Sequence, residues 1–179
     1  MATPEQDRRA GPKIGSRTGY TALLKVLPGH EKTLREMIEA DQRTPDKTEQ
    51  ALREIGTLHE FRWVLFDNDT RLMFASVFDG TWEKYIQDFA STAIGEIIDR
   101  NMQHVEGWVG IHDPRAADCL LGYGVPAIQY ASVYAEPSVQ QVLKALAVHE
   151  AFEQVLNDPD AAEALQQPAL KPLLEQAAD

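Results

Sequence analysis

The chain of 179 residues is predicted to form an α+β domain built around a four-stranded antiparallel sheet. Residues 58–66 and 71–78 are rich in aromatic and β-branched residues and flank a polar turn, which predicts a β-hairpin. Apolar residues recur at helical spacing on both sides of this hairpin. Apolar residues make up 44% of the chain and charged residues 25%, a balance typical of a globular domain.

The elements before the hairpin follow from turn signals and apolar spacing. Residues 1–16 combine prolines, glycines and mixed charges, and are predicted to form a flexible tail. Residues 20–27 are predicted to form the first strand, which ends at a Pro-Gly pair. A helix is expected over 31–40, and a second helix begins at a Thr-Pro pair and runs over 45–55.

The elements after the hairpin are predicted in the same way. Residues 82–102 are expected to be helical, because their first apolar residues fall at positions i, i+3, i+4 and i+7. The glycine-rich stretch 105–124 is predicted to be a mostly irregular connection that contains one short helix. A fourth strand is expected over 127–134, followed by a long helix over 137–156 and short C-terminal helices over 157–179.

This order of elements is that of the split βαβ, or ferredoxin-like, fold. Its sheet has the strand order 4-1-3-2 with helices on one face. The predicted organisation is therefore a tail over 1–16, the domain over 17–156 and a helical extension over 157–179. The second face of the sheet carries apolar side chains and needs a cover, which could be a second subunit or the wall of a cavity.

A register for the hairpin follows from its turn, and it places Trp63 opposite Phe74 and His59 opposite Phe78. One face then carries His59, Phe61, Trp63, Leu65, Leu72, Phe74 and Phe78. This nearly apolar face is expected to pack beneath the following helix. The other face carries Glu60, Arg62, Val64, Phe66, Arg71, Met73, Ala75 and Val77. On that face Glu60 and Arg62 form either a plain salt bridge or a site for an anionic or carbonyl-bearing molecule.

Charge and cysteine content limit the partners and the compartment. The formal net charge is −11, and no basic cluster suited to nucleic acid or to an anionic membrane is evident. No apolar run is long enough to span a bilayer, and the N-terminus lacks the apolar core of a signal peptide. A single cysteine, Cys119, cannot form an internal disulfide. We therefore expect a cytoplasmic protein that binds neither nucleic acid nor membrane.

The hairpin also resembles a known superfamily. In some bacterial proteins of the dimeric α+β-barrel superfamily, a His-x-x-Arg strand precedes a strand that ends in Phe-Asp-Gly. The matching residues here are His59, Arg62, Phe78, Asp79 and Gly80, and the similarity extends loosely from residue 20 to residue 156. The resemblance implies a ferredoxin-like fold and a homodimer. It does not select a reaction, because the superfamily includes haem enzymes, cofactor-free monooxygenases and ligand-binding members without catalysis.

The candidate site residues cluster on the hairpin. His59 could act as a general base, ligate haem, or simply bond to the backbone, and nearby Asp79 would raise its basicity or cap a helix. Arg62 is the candidate anion anchor. The predicted catalytic residues are thus His59, Arg62 and Asp79, and the predicted ligand-binding residues are Tyr20, Glu60, Trp63 and Phe78. The register places His59 and Arg62 on opposite faces, which argues against one pocket that holds both.

Metal and cofactor chemistry have weaker support. His104, Glu106, His112 and Asp113 lie within ten residues of one another and could supply ligands to iron, manganese or zinc, although their spacing matches no strong metal motif. The Gly-x-x-Asp-Gly motif of dye-decolourising peroxidases is absent, which argues against haem peroxidase chemistry without excluding haem. Phosphate-binding loops and nucleophile elbows are also absent.

Two functional hypotheses follow. The first is a homodimeric small-molecule enzyme or biosynthetic tailoring protein, for which an oxidative reaction such as monooxygenation is one option, with a pocket lined by the central hairpin. The second is a non-catalytic module that binds a ligand or a protein through its acidic C-terminal helices. From residue 135 to the end the chain carries eight acidic residues against two lysines.

Overall fold

The computed structural model describes residues 10–177. The strands are β1 (Lys13–Ile14), β2 (Arg17–Lys25), β3 (Leu58–Phe66) and β4 (Arg71–Asp79). They form one antiparallel sheet in the order β1-β2-β4-β3. The predicted α+β class with a four-stranded antiparallel sheet is therefore confirmed.

The helices follow the predicted pattern closely. They are α1 (Glu31–Gln42), α2 (Pro45–Ile55), α3 (Trp82–Ala90), α4 (Ala93–Met102), α5 (Ala116–Tyr123), α6 (Val139–Leu156), α7 (Ala162–Leu165) and α8 (Lys171–Ala177). Two short 3₁₀ helices lie at Pro159–Ala161 and Pro168–Leu170. None of the helices within residues 10–177 combines the length and the apolar character that crossing a bilayer requires.

Local signals explain several of these boundaries. Helix α2 begins with Pro45 in its first turn and ends at Gly56, which adopts the left-handed conformation with φ 63°. Helix α3 begins where the side chain of Thr81 accepts a hydrogen bond from the backbone N–H of Lys84. These are the residues at which the sequence predicts the same boundaries.

The chain divides into two compact units, residues 1–140 and residues 141–179. The division falls inside α6, whereas the sequence analysis placed the C-terminal extension at 157–179. The first unit contains the sheet and helices α1 to α5. The second contains most of α6 together with α7 and α8.

The core lies on the sheet face that the hairpin register predicts. Phe61 pairs with Ser76 and Trp63 with Phe74, as expected. Helix α3 covers this face with its predicted apolar stripe, which is at most 9% exposed at every position: Trp82, Tyr85, Ile86 and Phe89. The Phe78 ring stacks on one member of the stripe, Tyr85, at a centroid distance of 3.9 Å. This burial ties the hairpin to the helical layer.

Two predictions at the other edge of the sheet are wrong. Residues 127–134 are not a strand but an irregular segment, and the edge beside β2 is occupied instead by β1. Part of the predicted flexible tail is therefore ordered, and Ala10 is only 3% exposed. Residues 1–9 of that tail lie outside the described residues.

Candidate functional site

A β-bulge in β3 changes the position of His59. Leu58 pairs with Phe78 and Glu60 pairs with Val77, so His59 has no partner residue on β4. The predicted pairing of His59 with Phe78 is therefore wrong, and Leu58 takes that buried place at 2% exposure. His59 Nε2 instead lies 2.8 Å from Asp79 Oδ1. Because a carboxylate only accepts, Nε2 carries the proton of this hydrogen bond.

Because of the bulge, His59 and Arg62 do not lie on opposite faces of the sheet as the regular register predicts. Asp79 lies two residues beyond Val77 on β4, and Val77 pairs with Glu60. By strand alternation the Asp79 carboxylate belongs to the face that carries Glu60 and Arg62. We call this the open face of the sheet. His59 turns toward it through its bond to Asp79.

Asp79 connects the sheet to the first turn of α6. Its Oδ2 accepts a hydrogen bond of 2.7 Å from the backbone N–H of Val139. Its Oδ1 accepts a second hydrogen bond, of 3.3 Å, from the Ser16 hydroxyl, besides the one from His59. A carboxylate at a helix N-terminus is stabilised by the unpaired backbone N–H groups there. Asp79 therefore caps a helix 60 residues away in sequence.

Three residues near this carboxylate were missed by the sequence analysis. The Arg17 guanidinium donates to Pro137 O at 3.3 Å and to Ser132 Oγ at 3.4 Å. Burial raises the pKa of Tyr130, and nearby Glu60 and Asp79 raise it further while Arg17 opposes them. Tyr130 and Ser132 lie within the segment predicted as a strand, whose apolar pattern gave no sign of a polar role.

A groove of about 450 Å³ lies on the open face, between the sheet and residues 127–131. Glu60, Arg62, Gln129 and Tyr130 are among the polar residues that line it. His59 and Asp79 do not line it. Neither Glu60 nor Arg62 forms an ion pair with any described residue, so the salt bridge considered as the plainer explanation is not present.

A second cavity, of about 350 Å³, lies on the other side of β3, against α1, α2 and α4. We call it the helix-side cavity. Its apolar wall consists of Ile38, Leu52, Phe61, Trp63 and Ile97. Arg62 also lines it, because β3 is an edge strand and a long side chain there lines cavities on both sides.

Two hydrogen-bond donors of the helix-side cavity have no partner among the described residues. The Nε1 atom of Trp63 is buried without an acceptor. The guanidinium of Arg62 is exposed and unpaired. Buried N–H groups are nearly always hydrogen-bonded, so this indole group lacks the acceptor that its burial normally requires.

Two of the predicted ligand-binding residues belong to the core instead. Phe78 is 0% exposed and lies between Trp82 and Tyr85. Tyr20 is 1% exposed, and its hydroxyl donates to Leu120 O at 2.5 Å. Tyr20 pairs with Ser76, which lies two residues before Phe78 on β4. By strand alternation, both side chains therefore lie on the face of the sheet that the helices cover. Phe78 lines neither cavity beside β3, whereas Tyr20 is among the residues that line the groove on the open face, so its ligand-binding role stays a prediction.

The four candidate metal ligands are not brought together. His104 Nδ1 lies 2.9 Å from His30 Nδ1, whereas His112 Nε2 lies 3.4 Å from Glu96. Asp113 binds the Arg115 guanidinium, which lowers the pKa of its carboxyl to about 2. Glu106 faces another crevice, beside Lys25 and Arg71. Within residues 10–177 no group of three or more His, Cys, Asp and Glu side chains is placed to hold a metal ion.

The arrangement does not fit a haem group either. His59 was the candidate axial ligand, but its Nε2 is bonded to Asp79 and it lines neither of the two cavities beside β3. A porphyrin in either cavity would therefore lack this histidine. We assign no step to haem.

Comparisons with known proteins add no evidence about the function of this chain. No protein-family model matches the chain, and no curated protein is significantly similar to it. The resemblance to dimeric α+β-barrel proteins therefore stays a prediction, and function is argued below from the geometry.

Proposed function

We propose that this protein binds a small molecule with an apolar body and an anionic or carbonyl group in the helix-side cavity. The observation that carries the proposal is the pair of unpartnered donors, Trp63 Nε1 and the Arg62 guanidinium, beside an apolar wall. An apolar cavity with a few converging polar groups is the usual form of a ligand site. Arg62 would hold the anionic group and Trp63 would supply both a wall and a hydrogen bond.

Ligand binding is favoured over acid–base catalysis at this site. A general base must reach the proton that it removes, directly or through one water. His59 and Asp79 do not line the helix-side cavity, and Asp79 already accepts hydrogen bonds from Val139 and Ser16. The His59–Asp79 pair is thus better suited to hold Val139, the first residue of α6, beside the sheet than to remove a proton from a bound molecule.

A homodimer is proposed as the cover of the open face. Val64 is 40% exposed and Phe66 is 37% exposed, and Leu23 and Met73 are half-buried on the same face. Apolar side chains grouped on one sheet face commonly mark an interface. Light scattering of the full chain tests this part, and Phe66→Lys is expected to convert a dimer to a monomer.

The binding proposal is tested by thermal unfolding with a panel of straight-chain and aromatic carboxylates, each compared with the alcohol of the same carbon skeleton. At a concentration about 100 times its Kd, a bound carboxylate should raise the melting temperature by about 5 °C or more. The alcohols should raise it less, because they cannot pair with Arg62. Removal of the charge in Arg62→Ala should abolish the preference for carboxylates.

Three further variants separate binding at this cavity from other effects. Trp63→Phe keeps an aromatic wall but removes the N–H, so it should weaken every ligand of the panel. Arg115→Ala removes an arginine that lies outside the cavity and should change nothing. His59→Gln should also leave the ligand-induced shift intact. The proposal fails when no compound stabilises the wild-type protein, or when Arg62→Ala and Arg115→Ala behave alike.

A further inference from the structure

Helix α6 exposes large apolar side chains on opposite sides. It has 18 residues, and Val139 is its one buried residue. Leu146 is 55% exposed, Val148 59% and Val155 42%. Large apolar side chains exposed on a helix commonly mark an interface, so α6 is expected to have a partner.

One part of this surface forms a groove within the second unit. The groove has a volume of about 590 Å³ and lies between α6 and α8. Its polar lining is His149, Glu153 and Gln176, and its apolar lining consists of Ala145, Val148, Phe152, Leu173 and Ala177. The α6 residues of this set recur at i, i+3 and i+7, which is the spacing that contacts a second helix laid along the groove.

The charge around the groove indicates the chemistry of the partner. Residues 141–179 contain seven acidic residues and two lysines. Glu153 borders the groove and forms no ion pair with any residue in 10–177. A second copy of this chain would bring another acidic surface against it, since the chain has a net charge of −11. A basic partner is attracted by the same charge.

We propose that the groove between α6 and α8 binds a basic, amphipathic helical segment of another protein. The apolar face of that segment packs against Val148, Phe152 and Leu173, and its Lys or Arg residues lie beside Glu153. This proposal concerns the second unit alone and does not depend on the ligand proposed for the helix-side cavity. It makes this part of the chain a docking element.

Fluorescence anisotropy with the full chain tests the proposal. The probe is a labelled amphipathic helical peptide of leucine and lysine, and its control is a peptide of the same pattern with glutamate in place of lysine. The lysine peptide should bind, and the double variant Val148→Gln/Leu173→Gln should bind it about tenfold more weakly or worse. Leu146→Gln is the matched control, because Leu146 is also exposed on α6 but does not line the groove.

Charge reversal gives a second, independent test. Glu153→Lys should weaken binding of the lysine peptide and strengthen binding of the glutamate peptide. Equal binding of the two peptides by the wild type would overturn the proposal, as would an equal loss in Leu146→Gln. A dimer that dissociates in the groove variants, measured by light scattering, would show that a second copy occupies the groove and would also overturn it. The carboxylate-induced stabilisation should be unchanged in all of these variants.

Discussion

Replacement of Asp79 by alanine should destabilise the first unit far more than an ordinary surface substitution. The carboxylate accepts hydrogen bonds from the Val139 backbone N–H, from His59 Nε2 and from the Ser16 hydroxyl. In the alanine variant the first two donors are left without their acceptor. The side chains of His59 and Asp79 are only 11% and 12% exposed, so water replaces that acceptor poorly.

The magnitude follows from the three interactions. A helix cap contributes about 1 kcal/mol, and a hydrogen bond to a charged group about 1.5–3 kcal/mol. Contributions from one carboxylate are not additive, and the Ser16 hydroxyl can turn to the Glu136 carbonyl oxygen 3.0 Å away. We therefore expect Asp79→Ala to lower the free energy of unfolding by about 3–4 kcal/mol.

Urea denaturation followed by circular dichroism measures this loss, which corresponds to a midpoint about 1–2 M lower. Asp79→Asn retains one acceptor oxygen for the helix cap and should lose about 2 kcal/mol. Asp118→Ala, an exposed aspartate on α5, is the control and should change the stability by less than about 0.5 kcal/mol. A loss below about 1 kcal/mol in Asp79→Ala would refute the view that this carboxylate holds Val139, at the start of α6, to the sheet.

Three other substitutions test the core and the paired histidines. In Tyr85→Phe, the buried Ser76 hydroxyl loses its partner at 2.5 Å, and urea denaturation should show a loss of about 1–2 kcal/mol. In Gly95→Ala, the new Cβ would clash with the backbone carbonyl oxygen of Phe89 near the end of α3, so the melting temperature should fall sharply, and an unchanged value would contradict the close packing of α3 and α4. Burial and the neighbouring His30 lower the pKa of His104, so the unfolded chain takes up the proton first as the pH falls. This contribution to stability should therefore be present above the ordinary histidine pKa of about 6.5 and be lost as the pH falls through the lower pKa of folded His104, and His104→Gln should flatten that decline in urea denaturation.

Much of the first unit could be predicted because its signals are local. The stripe from Trp82 to Phe89 has helical spacing, and the hairpin turn fixes a register that holds from Glu60 to Phe66. Face alternation then places Phe74 in the core and Arg62 on the open side. Each inference needs only neighbours in sequence, which is why each could be made without coordinates.

Less of the candidate site than of the fold could be predicted from the sequence. The contact between His59 and Asp79 was expected, but the bulge that brings His59 to the face of Arg62 has no reliable sequence signal. The burial of Tyr20 and Phe78 has no sequence signal, because aromatic residues suit both cores and cavities and composition does not separate the two. Arg17 and Val139 reach Asp79 only through the tertiary fold.

The strand predicted at residues 127–134 does not form, because a local pairing and a distant pairing compete for the same edge of β2. Residues 127–134 have strong β-propensity, and the chain just before them does reach β2, through a bridge between Ala22 and Gly124 and a hydrogen bond from Val125 N–H to Thr21 O. Farther along that edge, β1 already pairs with β2 through a turn at Gly15, whose φ of 56° suits glycine. A hairpin of a few residues closes at a smaller entropic cost than a pairing across more than 100 residues. The local hairpin of β1 and β2 therefore occupies this edge. In the displaced segment the side chain of Ile128 is fully exposed, whereas Tyr130 and Ser132 lie near Arg17.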